Sequence, residues 1–152
     1  MSEVRFYHLQ RASLEDTLPV ILERCYGRGD RTLVMTGSPE RAEALAGHLW
    51  TYRPDSFLPH GTAKDGAAAE QPIFLTAEEE NPNGAKVLIL CDGATRAEIG
   101  AFPLVCEMFD GNDETIVAAA RERWKAYKDA GHKLVYFQQS PAGKWEEKAR
   151  SE

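Results

Sequence analysis

Arg121, Trp124, Lys125 and Lys128, with Val117 one turn ahead of them, are the residues whose types and spacing most plainly offer chemistry. They lie in DETIVAAARERWKAYKDAG, Asp113 to Gly131. At ~100° per residue they fall together on one side of a helix. Cations set around an indole and a valine support two readings. One is a solvated helix surface carrying a half-buried Trp. The other is a pocket for an acidic peptide. A cationic rim suits carboxylates, an aromatic wall takes one apolar anchor, and Trp and Arg are the types most enriched at binding hot spots. On another side of the helix fall Ile116, Ala119, Ala120, Ala126, Tyr127 and Ala130. These are mostly small and are expected to lie close against a sheet. Arg123 points near the middle of that apolar side, so it must snorkel or find a carboxylate.

Other candidates for chemistry are thinner. TLVMTGSPERAEAL reads as strand, turn and helix, a place where backbone N–H groups could hold a phosphate. Neither G-x-G-x-x-G nor G-x-x-x-x-G-K-[ST] is present, and a structural turn is the favoured reading. LCDGATRAE follows a strand and puts Asp92 near its carboxyl end, where open α/β sheets bind ligands. No histidine or second carboxylate pairs with Asp92 in the sequence, so a capping or turn role is favoured. Cys91 reads as a small buried residue rather than a nucleophile. His60 has no partner Ser, Cys or Asp at a telling spacing. Cys25, Cys91 and Cys106 are widely spaced and make no metal-ligand cluster with His8, His48, His60 or His132. Neither a catalytic residue, a metal nor a cofactor is expected.

Composition narrows the partners. The 152 residues fit one compact domain, and the net charge is −6. Proteins that grip nucleic acid by its backbone are ordinarily basic, so the cationic helix is an island on an acidic molecule. That favours a small acidic ligand, and direct DNA binding is not expected. The odd cysteine count fits a reducing compartment, and MSEVRFYHL lacks a secretory signal's pattern. No run approaches the roughly 18 apolar residues of a membrane span. A cytoplasmic location away from membranes is the expectation.

The elements that must position the basic helix follow in order. Val4 to Leu9 alternates as a strand. Leu14 to Tyr26 is an amphipathic helix capped by Ser13. Thr32 to Thr36 is a buried strand, and a helix beginning at Pro39 runs to about Tyr52. A long polar connection covers 53–71. Ile73 to Thr76 and Lys86 to Leu90 are strands, and LVCEMF within Ala101 to Asp110 is a fifth. After the basic helix, Lys133 to Gln138 is a sixth. Residues 1–139 form the domain. The polar tail 140–152 is expected to fray, or to hold a short helix around Trp145. Apolar strands alternating with helices predict an α/β fold, a mostly parallel sheet with helices on both faces: Rossmann-like, but without a nucleotide motif. The short steps between the middle strands leave room for an antiparallel pair.

HLWTYRPDSFLPHG, His48 to Gly61, sets Trp50, Tyr52, Phe57 and Leu58 near a helix end and along a loop stiffened by Pro54 and Pro59. Such aromatics are either a satellite core or an offered surface.

Three segments carry a resemblance over most of the chain. FYHL near the start, LW followed by RPDSFLPHG, and ARERWKAYKDAGHKL (Ala120 to Leu134) together resemble the chi subunit of the bacterial DNA polymerase III holoenzyme. The resemblance implies a non-enzymatic α/β replisome adaptor in the clamp-loader complex. It implies binding of the acidic C-terminal tail of the single-stranded DNA-binding protein, an aspartate run ending in phenylalanine, and of a small psi subunit. Carried over, tail-binding positions fall on Val117, Arg121, Trp124 and Lys125, with Lys128 beside them. Positions for psi fall on Trp50 and Phe57. The family often has lysine at the place of Val117 and tyrosine at that of Trp124. The alternative from another class is a small nucleotide- or phosphate-binding α/β enzyme using the turns after Thr36 and Leu90.

Overall fold

A computed structural model describes residues 2–53 and 58–151. Strand β1 (Glu3–Leu9) leads through helix α1 (Leu14–Gly27) to β2 (Thr32–Met35) and then helix α2 (Pro39–Thr51). Strands β3 (Ile73–Thr76), β4 (Val87–Leu90) and β5 (Leu104–Asp110) follow without a long helix between them. Helix α3 (Glu114–Asp129) then carries the chain to β6 (Lys133–Gln139) and β7 (Trp145–Ser151). The helix starts are those the side chains dictate. Ser13, Ser38 and Asp113 each accept a backbone N–H of the first turn, and Pro39 stands where a missing donor costs nothing.

The sheet order is β3-β2-β4-β5-β1-β6-β7. Every pairing from β3 to β6 is parallel. The antiparallel pair expected in the middle is therefore absent there. It forms at the C-terminus instead, between β6 and β7. The segment expected to fray is this seventh strand. Two features of the sequence explain it. The link Ser140–Lys144 closes a hairpin, with Gly143 at φ 83° and Ser140 N–H bonded to the Lys144 carbonyl at 2.8 Å. Trp145 then packs edge-on to Tyr7 with ring centroids 5.3 Å apart. Glu146, Glu147, Lys148 and Arg150 of β7 are charged, which suits an outer edge that must not recruit another strand.

Strands buried on both faces read as continuous apolar runs, and β2, β3 and β4 are buried at every position. One face packs on α1 and α2 through Leu18, Leu22, Leu45 and Leu49. The other packs on α3 and on the 94–102 connection through Phe6, Leu88, Phe102 and Ala120. Helix α3 covers the β1–β6 end of that second face, and most of β6 there is half-buried.

Helix α1 contains Pro19, buried in its middle. A proline there withholds the N–H owed to the Glu15 carbonyl. His48 Nε2 lies 2.7 Å from that oxygen and replaces the lost donor from α2. His48→Ala is expected to cost about 1–2 kcal/mol, the usual range for orphaning a partly buried acceptor. In a Pro19→Ala background the cost should shrink, because the helix recovers its own donor. Urea melts of the four proteins in a double-mutant cycle measure that coupling, and no coupling would refute the substitution of donors.

Candidate functional site

The contact face of α3 differs from the expected one. Ile116, Ala119, Ala126 and Ala130 are exposed, and Ala120 is the fully buried residue of the helix. Val117, Trp124 and Tyr127 pack beside it on the core. The helix is thus turned by close to one residue's step, so that Val117 and Trp124 join Ala120 and Tyr127 on the sheet, while Ile116 and the other alanines of the expected face do not. Area decides this: an indole and a valine remove far more apolar surface from water than three methyl groups.

Arg123 fixes the same rotation electrostatically. Its Nε lies 2.9 Å from a carboxylate oxygen of Glu107, a residue 2% exposed on β5. The Tyr127 hydroxyl donates to the same oxygen at 2.8 Å. Burial pushes the Glu107 carboxyl above its ordinary value, while the Arg123 guanidinium and Tyr127 pull the other way. Burial and the neighbouring carboxylate push the Tyr127 hydroxyl up strongly. The expectation that Arg123 needs an acid is met. Its identity was not apparent, although a glutamate inside the apolar run LVCEMF demands a cation as much as Arg123 demands an anion.

What remains on the open side of α3 is a cationic strip with an aromatic wall. Arg121, Lys125 and Lys128 are exposed. Among the described residues no carboxylate stands within ion-pair distance of any of the three. Trp124 is half-buried, edge-on to Phe6 at 5.4 Å and to Tyr136 at 5.9 Å between ring centroids. Val117 is half-buried two helical turns before it. The indole therefore has one side in the core and one side available, and the guanidinium that is locked to an internal acid is that of Arg123 and not that of Arg121. Val117, Arg121, Trp124, Lys125 and Lys128 lie along one side of α3. Two residues that sequence reasoning did not single out, His8 and Tyr136, lie beneath it. The alternation in FYHL puts His8 on the face of Phe6, which was the available signal.

Trp50 is 48% exposed at the end of α2, with its ring 4.1 Å from that of His60 between centroids. Phe57 lies outside the described residues. His60 is buried, with Nδ1 at 2.7 Å from the Leu58 carbonyl and Nε2 at 2.8 Å from the Ala46 carbonyl. It ties the loop to α2, which is a structural task.

A cavity of about 780 Å³ opens at the carboxyl ends of β1, β4 and β5, where open α/β sheets bind ligands. Arg11, Arg41 and Arg123 line it; Arg123 is held by Glu107 at 2.9 Å, and Arg41 by Asp92 at 2.8 Å and Glu15 at 3.0 Å. Those contacts raise Arg41 and hold the Glu15 carboxyl below its ordinary value. The turn after β2 is closed as well, since a Cβ on Gly37 would fall 2.4 Å from the Asp92 carbonyl oxygen. The two turns suggested for a phosphate thus serve each other. The three thiols are buried; burial pushes Cys106 up to about 12 and Cys91 higher still, away from the reactive thiolate. Among the described residues no group of three or more His, Cys, Asp or Glu could hold a metal ion. No helix there is long and apolar enough to cross a membrane.

Comparison with known proteins decides the family. The family described as DNA polymerase III chi subunit, HolC, matches residues 1–135. The chain belongs to the DNA polymerase III chi subunit family. It is similar to the probable DNA polymerase III subunit chi of Rickettsia prowazekii, 26% identical over 155 residues, covering 95% of this chain and 91% of that protein. It is similar to the DNA polymerase III subunit chi of Pseudomonas aeruginosa, 26% identical over 137 residues, with 88% and 94% covered. It is similar also to the Escherichia coli subunit of the same name, 26% identical over 143 residues, with 88% and 96% covered. Membership makes the chain an accessory component of DNA polymerase III in DNA replication. Helix α3 lies within the matched span, whereas Tyr136 and β7 lie just beyond it.

Proposed function

We propose that this chi-family protein is a non-enzymatic adaptor that links the polymerase III clamp-loader complex to the single-stranded DNA-binding protein by holding that protein's acidic C-terminal tail. The observation that carries the reading is the basic side of α3, three exposed cations without acidic partners among the described residues, beside a half-buried indole. Chain and ligand complement each other in charge and shape. The terminal phenylalanine packs beside Val117 and Trp124. Arg121, planar and always charged, holds the α-carboxylate. Lys125 and Lys128 draw the aspartates and chiefly speed encounter. Because the contact is small, the affinity is micromolar and falls with salt. Several tails on one coated strand then act together through effective concentration.

The second contact of the adaptor is with psi or an equivalent clamp-loader component, through the α2 end at Trp50 and the adjoining loop that contains Phe57. Trp50 and the α3 groove belong to opposite faces of the sheet, so both partners can be held at once. Direct grip on DNA is no part of this reading, given a net charge of −6.

Titration of a fluorescent peptide, a run of aspartates ending in phenylalanine, tests the first contact. Saturable binding that weakens with salt is expected. Undiminished binding by Arg121→Ala would sink the assignment.

A further inference from the structure

The cavity at the carboxyl ends of β1, β4 and β5 is left over once the fold and the basic side of α3 are explained. It measures about 780 Å³, within the span of small-molecule sites, which run from roughly 300 to 1,000 Å³. Ile116, Ala119 and Arg123, spaced three and four residues apart, bring one side of α3 to it. That side is not the one that carries Val117, Arg121, Trp124, Lys125 and Lys128. Leu14, Met108 and Phe109 add apolar wall from α1 and β5. Ile116 is 38% exposed, a large apolar side chain that the fold leaves against the cavity instead of in the core.

Three arginines and three carboxylates line this space, and their pairing decides what it can hold. Arg41 is taken up by Asp92 and Glu15. Arg123 bonds Glu107 through Nε alone. Its two terminal nitrogens make no hydrogen bond to a described residue, and neither is sealed from solvent. The Arg123 side chain is nonetheless only 20% exposed, so these donors stand in a cavity wall, where a charged hydrogen bond is stronger than on an open surface. Arg11, on the bend between β1 and α1, is exposed and makes no ion pair among the described residues. A guanidinium fork matches the paired oxygens of a carboxylate or a phosphate. Asp110 chooses between them. It lines the cavity with no cation in ion-pair distance among the described residues, so a second negative charge on a ligand is repelled. Glu15 and Asp92 share one arginine and add to that repulsion.

We propose that the cavity binds a small organic acid: one carboxylate, held by the terminal nitrogens of Arg123 with the exposed Arg11 beside it, on an apolar body that lies along Ile116 and Leu14. A nucleotide, with its several phosphate charges, is the wrong class for this lining. The proposal is independent of the tail-binding reading, whose residues occupy another side of α3.

The probe is phenylpropionate, followed on the full-length protein through the Ile116 and Met108 methyl resonances. Saturable shifts are expected, with a dissociation constant of about 1 mM or below for so small a ligand. The neutral alcohol phenylpropanol and the doubly charged phenylpropyl phosphate should each bind roughly tenfold more weakly. Ala119→Trp fills the cavity from an exposed helix position and should abolish the shifts. Arg123→Lys keeps a cation beside Glu107 and loses the planar fork. It should weaken the acid by roughly tenfold and leave the alcohol unchanged, with thermal melts confirming the fold. Arg11→Ala, a surface change, should weaken the acid by roughly threefold. The proposal is wrong if no shift saturates, if acid and alcohol bind alike, if the phosphate ester binds best, or if Ala119→Trp or Arg123→Lys binds the acid as wild type does. Displacement of the probe by the aspartate–phenylalanine peptide would also overturn it, by making the cavity part of the tail site. Arg121→Ala should leave the probe's affinity unchanged, so failure here is distinct from failure of the tail reading.

Discussion

Arg123→Ala is expected to destabilise the protein by about 3–5 kcal/mol, because it strands the buried Glu107 carboxylate rather than merely deleting an ion pair. Glu107 is 2% exposed and has two partners, Arg123 and Tyr127. One hydroxyl cannot compensate a carboxylate in the interior. The pH dependence has a definite sign. Glu107 already titrates above its ordinary 4.5 in the folded protein, so the stability linked to its proton is fully present below about 4.5 and is lost as pH rises through the folded value. Removing the cation moves that folded value further up. The deficit of Arg123→Ala should therefore be largest at neutral pH and shrink on acidification, as the stranded group takes up a proton. Chemical denaturation of wild type and variant across pH 5–8 measures this. A deficit independent of pH would mean that lost packing, and not a stranded charge, is the cause. Glu107→Gln should be milder, since Arg123 is one-fifth exposed and can swing its head to water.

This cluster also shows where the sequence was legible and where it was not. The α/β class, the six strands and the three long helices follow from period and capping, and each helix begins at a residue whose side chain caps it. These are local signals, carried by neighbours along the chain. What failed was non-local. The parallel course of β3, β4 and β5 is set by where each strand is inserted in the sheet, and short connections said nothing of it. Strand β7 depends on Trp145 finding Tyr7 across the sheet, a contact between residues far apart in sequence. The rotation of α3 is the instructive case. Val117, Ala120, Trp124 and Tyr127 are themselves helically spaced, but the small residues on the neighbouring side were expected to meet the sheet, with Trp124 half-buried on the basic side. Long basic side chains flank a buried indole without conflict, because each reaches outward from its own stem. Hence one residue, Trp124, is both core and groove wall. The basic strip was visible because charge is visible; the contact of His8 with Tyr136 was not, because it joins residues far apart in sequence.

Arg121→Ala is expected to weaken the tail peptide by roughly 10- to 100-fold, the range that follows from losing hydrogen bonds to a charged group worth about 1.5–3 kcal/mol. The stability of the protein should hardly change, since Arg121 is exposed and has no acidic partner to strand among the described residues. That separates it from the other wall residues. Trp124→Ala removes a ring packed on Phe6 and Tyr136, so binding and melting temperature should fall together and the binding loss alone cannot be read as contact energy. Lys125→Ala and Lys128→Ala remove rim charges. Their effects should be a few-fold, appear mainly in the association rate, and vanish at high salt where the Debye length falls to about 3 Å. Arg121→Lys is the sharpest variant. It keeps the charge and loses the planar fork, so long-range attraction survives while the bidentate hold on a carboxylate does not. If Arg121 acts only as one more positive charge, lysine restores binding fully. If it clasps the chain end, Arg121→Lys should associate at close to the wild-type rate and dissociate several-fold faster, and stopped-flow traces at two salt concentrations distinguish the two.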